Sequence, residues 1–161
     1  NEEYFSRWPN LPQADFLAPA GYEAVYRTNA YTRQGEHGNA MLSRWPVISH
    51  QHEDISDHRF EQRGILHSEV HVNGIYIHVV VVHLGLFSSS RLRQVAQILR
   101  FVLREVPQQD PLIVAGDFND WGDQVQTKLE AFGLKTWEPG LHKTFPSLLP
   151  LKPSNAVSRS R

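Results

Sequence analysis

The pattern of apolar and polar positions divides most of the chain into short strands and two helices. The strongest local pattern is Asn73-Gly74, which lies between two apolar stretches at 64–72 and 75–83. Asn-Gly is typical of the two-residue turn of a β-hairpin, because both residues tolerate positive φ. The second stretch carries four consecutive valines, as expected of a strand covered on both faces. A hairpin over residues 64–83 is therefore predicted.

A helix and a buried strand are predicted after this hairpin. An apolar stripe with spacings of four, three and four predicts an amphipathic helix that ends before Pro107, and Ser88–Ser90 supplies N-cap candidates. The apolar stretch 112–115 then predicts a strand, so strand–helix–strand indicates a layered α/β protein. The stripe consists of Val95, Leu99, Val102 and Val106.

Weaker patterns complete the organisation of the chain. A single domain is predicted over residues 1–147, and the polar, aperiodic residues 148–161 predict a disordered tail. The remaining predicted elements are a helical turn near 13–17, strands over 22–28, 39–43 and 47–55, a polar loop over 29–38 and a second helix within 123–131.

Composition narrows the function only slightly. The chain has 161 residues, a net charge of -1 and no cysteine, which excludes disulfides and thiolate metal sites. No strong basic patch is expected, although a local basic rim could form from nearby arginines. No signal peptide is visible and no apolar run is long enough to span a membrane, so a cytoplasmic location is predicted. The nearby arginines are Arg91, Arg93, Arg100 and Arg104.

Candidate chemistry lies in "LIVAGDFNDW", residues 112–121. Asp117 and Asn119 are two apart at the end of an apolar strand, so both side chains point to the same side of an extended chain. A carboxylate there can accept a proton from water or hold a metal ion, and an amide can orient that water. The alternative is an ordinary turn, because Asp, Asn and Gly are turn residues whatever the function.

His83 ends the valine-rich strand of the hairpin in the same way. A histidine at such an edge can donate to a phosphoryl oxygen or move a proton near neutral pH. If the strands 75–83 and 112–116 are neighbours, His83, Asp117 and Asn119 meet at one rim, which is a candidate active site.

Five stretches of the sequence are informative together: "GNAMLSRWPV" (38–47), "RGILHSEVHVNGIYIHVVVVHLGL" (63–86), "RLRQVAQIL" (91–99), "PLIVAGDFND" (111–120) and "TFPS" (144–147). In this order and spacing they resemble the endonuclease/exonuclease/phosphatase superfamily of metal-dependent phosphodiesterases, which includes DNase I-like nucleases and sphingomyelinases. The resemblance implies a DNase I-like four-layer α/β/β/α sandwich with two mostly antiparallel sheets, incomplete here. It also implies Mg²⁺- or Mn²⁺-dependent hydrolysis of a phosphodiester or phosphoester.

The resemblance implies a role for each matching residue. Asp117 would orient or deprotonate the attacking water, and Asn119 would bind the scissile phosphate and hold Asp117. His83 would donate to a phosphate oxygen in the transition state, and Asn39 would lie near the phosphate. Two further residues match recurring arginines of the family, for which a structural role is the alternative: Arg44 and Arg63.

Other parts of the family pattern are not found in this sequence. Glu2 and Glu3 do not end an apolar strand, so the metal-binding Glu of the family has no counterpart; the metal ligands stay unknown, with Asp117 a candidate. The triplet Ser56-Asp57-His58 resembles the closing triplet of the family but precedes "GDFN", so it is interpreted as a loop coincidence, with His50 and His52 solvated. A truncation or frameshift is expected, and residues 1–161 alone are predicted to be inactive or nearly so.

Two other functions stay open at this point. One is a catalytically dead family member that acts as a binding or interaction module, and the other is a non-enzymatic α/β domain whose "GDFN" is only a turn. The substrate of an active enzyme could be a nucleic acid, a lipid or a small molecule, and the sequence does not give an oligomeric state.

Overall fold

The computed structural model describes residues 13–33, 35–120 and 122–136, together with strands at 143–145, 152–153 and 155–159. Glu2, Glu3 and the last two residues of "TFPS" lie outside the described residues. The helices are α1 (Gln13–Leu17), α2 (Ser88–Glu105) and α3 (Gln124–Ala131). The strands are β1 (Glu23–Thr32), β2 (Gly35–Ser43), β3 (Val47–Asp54), β4 (Gly64–Val72), β5 (Ile75–His83), β6 (Leu112–Asp117), β7 (Lys135–Thr136), β8 (Lys143–Phe145), β9 (Lys152–Pro153) and β10 (Asn155–Arg159).

The described strands form one large sheet and two small ones. The main sheet has six strands in the order β3-β4-β5-β6-β10-β7, while β1 pairs with β2 and β8 pairs with β9. Only β5 and β6 are parallel among the described pairs, and α2 supplies the crossover that a parallel pair requires. The β1–β2 hairpin lies against β4 and β5, and α1 packs on that hairpin. The predicted layered arrangement of two mostly antiparallel sheets with helices is confirmed.

The hydrophobic core lies between the main sheet and the two longer helices. Val80 and Val82 of β5 are buried, whereas Val79 and Val81 on the other face are only half-buried. The predicted helix stripe is buried except for half-buried Leu99. Because burial of these apolar groups is the main favourable contribution to folding, the core fixes how β5 and β6 lie under α2. It includes Ile65, Val80, Val82, Val95, Ile98, Phe101, Val102, Leu112, Val114, Phe118, Val125 and Leu129.

The Asn-Gly hairpin forms as predicted. Asn73 has φ 49° and Gly74 has φ 85°, and Val72 pairs with Ile75 across the turn. Two positive φ values are the signature of the expected turn type.

Residues 29–38, predicted to be a polar loop, differ from that expectation. Residues 29–32 and 35–38 belong to β1 and β2, which pair Ala30 with His37 and Thr32 with Gly35 beyond a register shift near Thr28. The prediction was wrong because ladder hydrogen bonds join backbones, so a polar hairpin arm needs no apolar alternation.

Part of the predicted disordered tail also differs. Residues 155–159 form β10, which pairs with β6 over its length, for example Val157 with Val114. An open strand edge presents unpaired N–H and C=O groups that any extended segment can satisfy, whatever its composition. The β6 edge is therefore paired here, while the division at residue 147 stays a prediction.

Candidate active site

The carboxyl ends of β5 and β6 meet at one edge of the main sheet because the two strands are parallel neighbours. The register places His83 directly opposite Asp117. The imidazole Nε2 lies 3.8 Å from the carboxylate Oδ2, with the two side chains 48% and 64% exposed. The sequence prediction that these groups meet at one solvent-facing rim is confirmed, while their catalytic roles stay predictions.

The residues around Asp117 explain how a buried strand delivers a carboxylate to the surface. Phe118 is buried in the core, so it anchors the chain end directly after the exposed Asp117. Gly116 has φ 139°, and a β-carbon at this position would lie 1.8 Å from the Val82 carbonyl oxygen. Only glycine accommodates that backbone and that close approach to β5.

Asn119 connects the ends of both strands. Its φ of 48° is in the left-handed region, which asparagine tolerates better than most residues. The Asn119 backbone N–H donates to Asp117 Oδ1 at 2.9 Å, and its side-chain Nδ2 donates to the Leu84 carbonyl at 2.8 Å. The backbone bond restrains the Asp117 carboxylate, as the resemblance implies, and the side-chain bond uses one of the two amide hydrogens.

The surroundings of His83 favour its neutral form. Desolvation of the ring lowers its pKa below the ordinary value, and the nearby Arg63 charge lowers it further. The carboxylates of Asp117 and Glu61 raise the pKa and oppose that effect in part. A neutral imidazole can donate one N–H to an anionic oxygen without carrying charge itself.

Asn39 lies on β2, between the two sheets. Its Nδ2 donates to the carbonyl oxygens of Gly64 at 2.8 Å and of Val81 at 3.0 Å. Both amide hydrogens are thus used to link the small sheet to β4 and β5. These bonds support a structural role for Asn39, while its place near the phosphate stays a prediction.

Comparison with known proteins settles the family. The model of the "Endonuclease/Exonuclease/phosphatase family" matches residues 3–149. The chain belongs to this family. It is 36% identical over 156 residues to "Uncharacterized protein YbhP" of Escherichia coli strain K12, an alignment that covers 92% of this chain and 61% of YbhP. The chain thus spans about three fifths of the length of the curated relatives that it matches.

Solved structures of the family share the fold. A mannosyl-6-phosphatase of Bacteroides thetaiotaomicron VPI-5482 superposes with a TM-score of 0.69 at 14% identity, covering 87% of this chain and 63% of that one. The human Nocturnin catalytic domain with bound sulfate gives a TM-score of 0.65 at 14% identity, covering 87% and 61%. The chain therefore has an incomplete DNase I-like α/β/β/α sandwich. At the family level, membership supports a phosphoesterase- or nuclease-type hydrolase.

The family implies a divalent metal ion, which would need several oxygen or nitrogen ligands from neighbouring side chains. No group of three or more His, Asp or Glu side chains converges anywhere in the described part of the chain. Asp117 offers one exposed carboxylate, whereas Mg²⁺ requires about six oxygen ligands in an octahedron. These residues alone do not fit a metal site, and no catalytic step below runs through a metal ion.

The basic rim considered from the sequence does not form. Arg91 is buried, and Arg93 pairs with Asp57 at 2.5 Å. Arg104 pairs with Glu53 and Glu105, which leaves Arg100 as the exposed member of the set without a carboxylate partner among the described residues. Pairing with carboxylates reduces the positive potential that these arginines offer to a phosphate backbone, although the Arg93 and Arg104 side chains are 57% and 54% exposed.

The triplet Ser56-Asp57-His58 lies in the loop between β3 and β4. Asp57 accepts hydrogen bonds from Arg93 and Ser90 of α2, and the Arg93 bond holds the pKa of the Asp57 carboxyl well below its usual range. This engagement anchors the loop to α2 and agrees with a non-catalytic interpretation. His50 is exposed, and exposed His52 contacts Asn29 Oδ1 at 3.0 Å.

The two arginines that match the family occupy different regions. Arg44 stacks over Trp45 and lines a groove with Ile77 and Ile113, toward the amino ends of β5 and β6. Arg63 lies close to the rim and pairs with Glu61 at 3.3 Å. Sequence reasoning missed Glu61, because a glutamate in a highly charged loop gives no indication that its side chain is buried.

Among the described residues, no helix combines the length and apolar character needed to cross a membrane.

Proposed function

We propose that the β5–β6 rim hydrolyses a phosphodiester or phosphoester by attack of water on phosphorus. The observation that carries the proposal is the pairing of His83 with Asp117 at 3.8 Å on adjacent strand ends, both open to solvent. A phosphoester needs an oriented water and donors to its anionic oxygens, and the rim offers a carboxylate, an imidazole and an amide for these tasks.

Each residue has a task that its contacts support. Asp117 Oδ1 is fixed by the Asn119 backbone N–H, so the carboxylate is held in place to orient or deprotonate a water. His83, whose lowered pKa favours the neutral ring, donates to a phosphoryl oxygen as charge develops on it. Asn119 donates its second amide hydrogen to the scissile phosphate.

A requirement for Mg²⁺ or Mn²⁺ belongs to this proposal on the strength of the family. The substrate class stays open between nucleic acid, lipid and small phosphoester. The neutralised arginines of α2 speak against a broad nucleic-acid surface on that helix. The cytoplasmic location expected from the sequence stays a prediction.

Hydrolysis of bis-p-nitrophenyl phosphate by the full-length gene product, with Mg²⁺, Mn²⁺ or a chelator, tests the proposal. Asp117→Ala should lower kcat by about 10²- to 10⁴-fold, because the water loses its base. Asp123→Asn is the matched control, because the Asp123 side chain is exposed and asparagine tolerates its φ of 55°. The activity of this variant should match that of the wild type. Metal-dependent activity that survives Asp117→Ala would overturn the proposal.

The second candidate is a catalytically dead family member that serves as a binding module. The absence of a converging group of His, Asp and Glu side chains in the described residues favours it. In that case the full-length product would show no turnover with either metal, and Asp117→Ala would change nothing.

A further inference from the structure

The turn that follows His83 has every backbone hydrogen-bonding group occupied. Leu84 N–H donates to the Asp117 carbonyl at 2.8 Å, and its own carbonyl accepts from Asn119. Gly85 N–H donates to Gln94 Oε1 at 2.8 Å, and Leu86 N–H donates to Glu61 Oε1 at 3.0 Å. The carbonyls of both residues accept from Arg91 Nη1, at 3.3 and 2.5 Å.

Three of these partners are polar side chains with little exposure to solvent. Gln94 is 0% exposed, Arg91 is 7% exposed and the Glu61 side chain is 10% exposed. Removing such groups from water is costly unless hydrogen bonds replace the lost water contacts. Glu61 Oε2 and Gln94 Nε2 have no hydrogen-bond partner among the described residues, so the bonds that Glu61 Oε1 and Gln94 Oε1 accept from the turn help to offset that cost.

Gly85 shows how closely these groups are packed. A β-carbon there would lie 2.3 Å from Glu61 Oε2 and 3.4 Å from Gln94 Nε2. The Glu61 carboxylate thus rests directly against the Gly85 α-carbon, with Oε1 on the Leu86 amide. A side chain at position 85 would displace Glu61 from the turn.

The turn leads directly from the candidate catalytic groups. His83 immediately precedes it, and Asn119 bonds to its first carbonyl while holding Asp117. The β3–β4 loop, α2 and the segment after β6 therefore converge on three residues. A displacement of this turn would act on His83 through the peptide bond to Leu84, at the last ladder pair of β5 with β6.

We propose that Glu61, Arg91 and Gln94 are positioning residues, which hold the turn 84–86 and thereby fix His83 opposite Asp117. None of the three touches the reacting atoms. The catalytic consequence rests on the proposed function, whereas the geometric part does not.

The test compares Gln94→Met and Glu61→Leu, which each remove one acceptor, with Glu61→Gln, which keeps an acceptor and removes the charge. In the full-length gene product, hydrogen exchange should accelerate at least about tenfold at Gly85 in the first variant and at Leu86 in the second, relative to the Val80 and Val82 amides. The His83 imidazole NMR signals should shift or broaden in both. Glu61→Gln should retain protection at Leu86.

Turnover provides the second readout. Both acceptor-removing variants should lose about 10- to 100-fold in kcat with little change in KM, because misplacement affects the reacting geometry rather than binding. The control is Val102→Ala, which weakens the α2 core without touching the turn. It should change neither the relative exchange nor the His83 signals.

The outcomes separate the two proposals. Unchanged exchange and unchanged His83 signals in both variants would overturn the positioning role, whatever the activity. Altered signals with wild-type kcat would overturn its catalytic consequence. Altered signals in a protein that hydrolyses no phosphoester would leave positioning supported and end the proposed function.

Discussion

The two ends of the β5–β6 strand pair both carry a histidine next to an aspartate, yet their surroundings are opposite. At the carboxyl end, exposed His83 faces exposed Asp117 across 3.8 Å. At the amino end, buried His78 lies 3.4 Å from Asp110 and is hydrogen-bonded edge to edge to a second buried histidine, His67, whose ring is nearly parallel to it. The same residue types thus form an open rim at one end and a closed internal network at the other.

The hydrogen bonds of the internal network can all run in one direction, from the Gln51 amide through the two histidines to the Asp110 carboxylate. Gln51 Nε2 lies 3.2 Å from His67 Nδ1, His67 Nε2 lies 2.9 Å from His78 Nδ1, and His78 Nε2 faces Asp110. If both imidazole rings are neutral, each of these three atom pairs shares one hydrogen, so every pair can form a hydrogen bond. Burial lowers the pKa of His67 to about 4, and the adjacent His78 contributes to that effect. A second proton on His67 would point at the Gln51 amide, which is itself a donor.

The alternation of side chains along β5 explains why His78 is buried and His83 is exposed. His78, Val80 and Val82 share the face that α2 covers, whereas His83 is out of phase with them and ends the strand. Because side chains alternate across a strand, an odd spacing of five places the two rings on opposite faces. Position in the strand, rather than residue type, separates the buried histidine from the exposed one here.

Histidine-to-glutamine replacements on the same strand test this contrast most strongly. His83→Gln should lower kcat by about 10²- to 10³-fold, the effect of losing one donor to a developing anion, while the free energy of unfolding changes by less than about 0.5 kcal/mol. His78→Gln should do the reverse and lower the free energy of unfolding by about 2 kcal/mol while kcat stays near wild type. Phosphoester assays and urea unfolding of the full-length product measure both.

The contrast would fail if the two variants behaved alike. Equal loss of activity in a fully folded His78→Gln protein would mean that the amino end also takes part in chemistry. Wild-type kcat in His83→Gln would remove the imidazole from the proposed mechanism.

Buried His67 also predicts a pH dependence of stability. Unfolded His67 takes up a proton near pH 6.5, but in the folded protein it does so only near pH 4. Between these values the unfolded state binds more protons, so the free energy of unfolding falls by about 3 kcal/mol as the pH is lowered. The neighbouring carboxylates of Glu69 and Glu105 oppose this shift in part.

Urea unfolding at several pH values measures that dependence. His67→Gln should reduce the slope of unfolding free energy against pH, between pH 6.5 and 4, by about one proton. An unaltered slope in His67→Gln would place the acid sensitivity elsewhere.

The sequence predicts elements whose cause is local. Asn73-Gly74 sets its own turn, the apolar stripe sets α2, and strand ends followed by polar residues locate His83 and Asp117. The interactions that hold the rim are long-range: Glu61 reaches Leu86 across 25 residues and Asn119 reaches Leu84 across 35. A glutamate in a charged loop has the same sequence pattern whether it is solvated or buried, so only the fold reveals it.

The N-terminal caps of the helices are also hard to predict from local sequence, and removing one gives the smallest effect predicted here. The Ser88–Ser90 stretch predicts a capped α2, yet α2 has no side-chain cap bond, whereas buried Asp120 accepts from the backbone N–H groups of residues 124, 125 and 126 at the start of α3. Asp120→Ala should therefore cost about 1 to 2 kcal/mol of unfolding free energy, because buried amide donors and the helix dipole lose their acceptor. Ser88→Ala should cost less than about 0.5 kcal/mol. Urea unfolding compares them, and equal costs would mean that Asp120 does not cap α3 in solution.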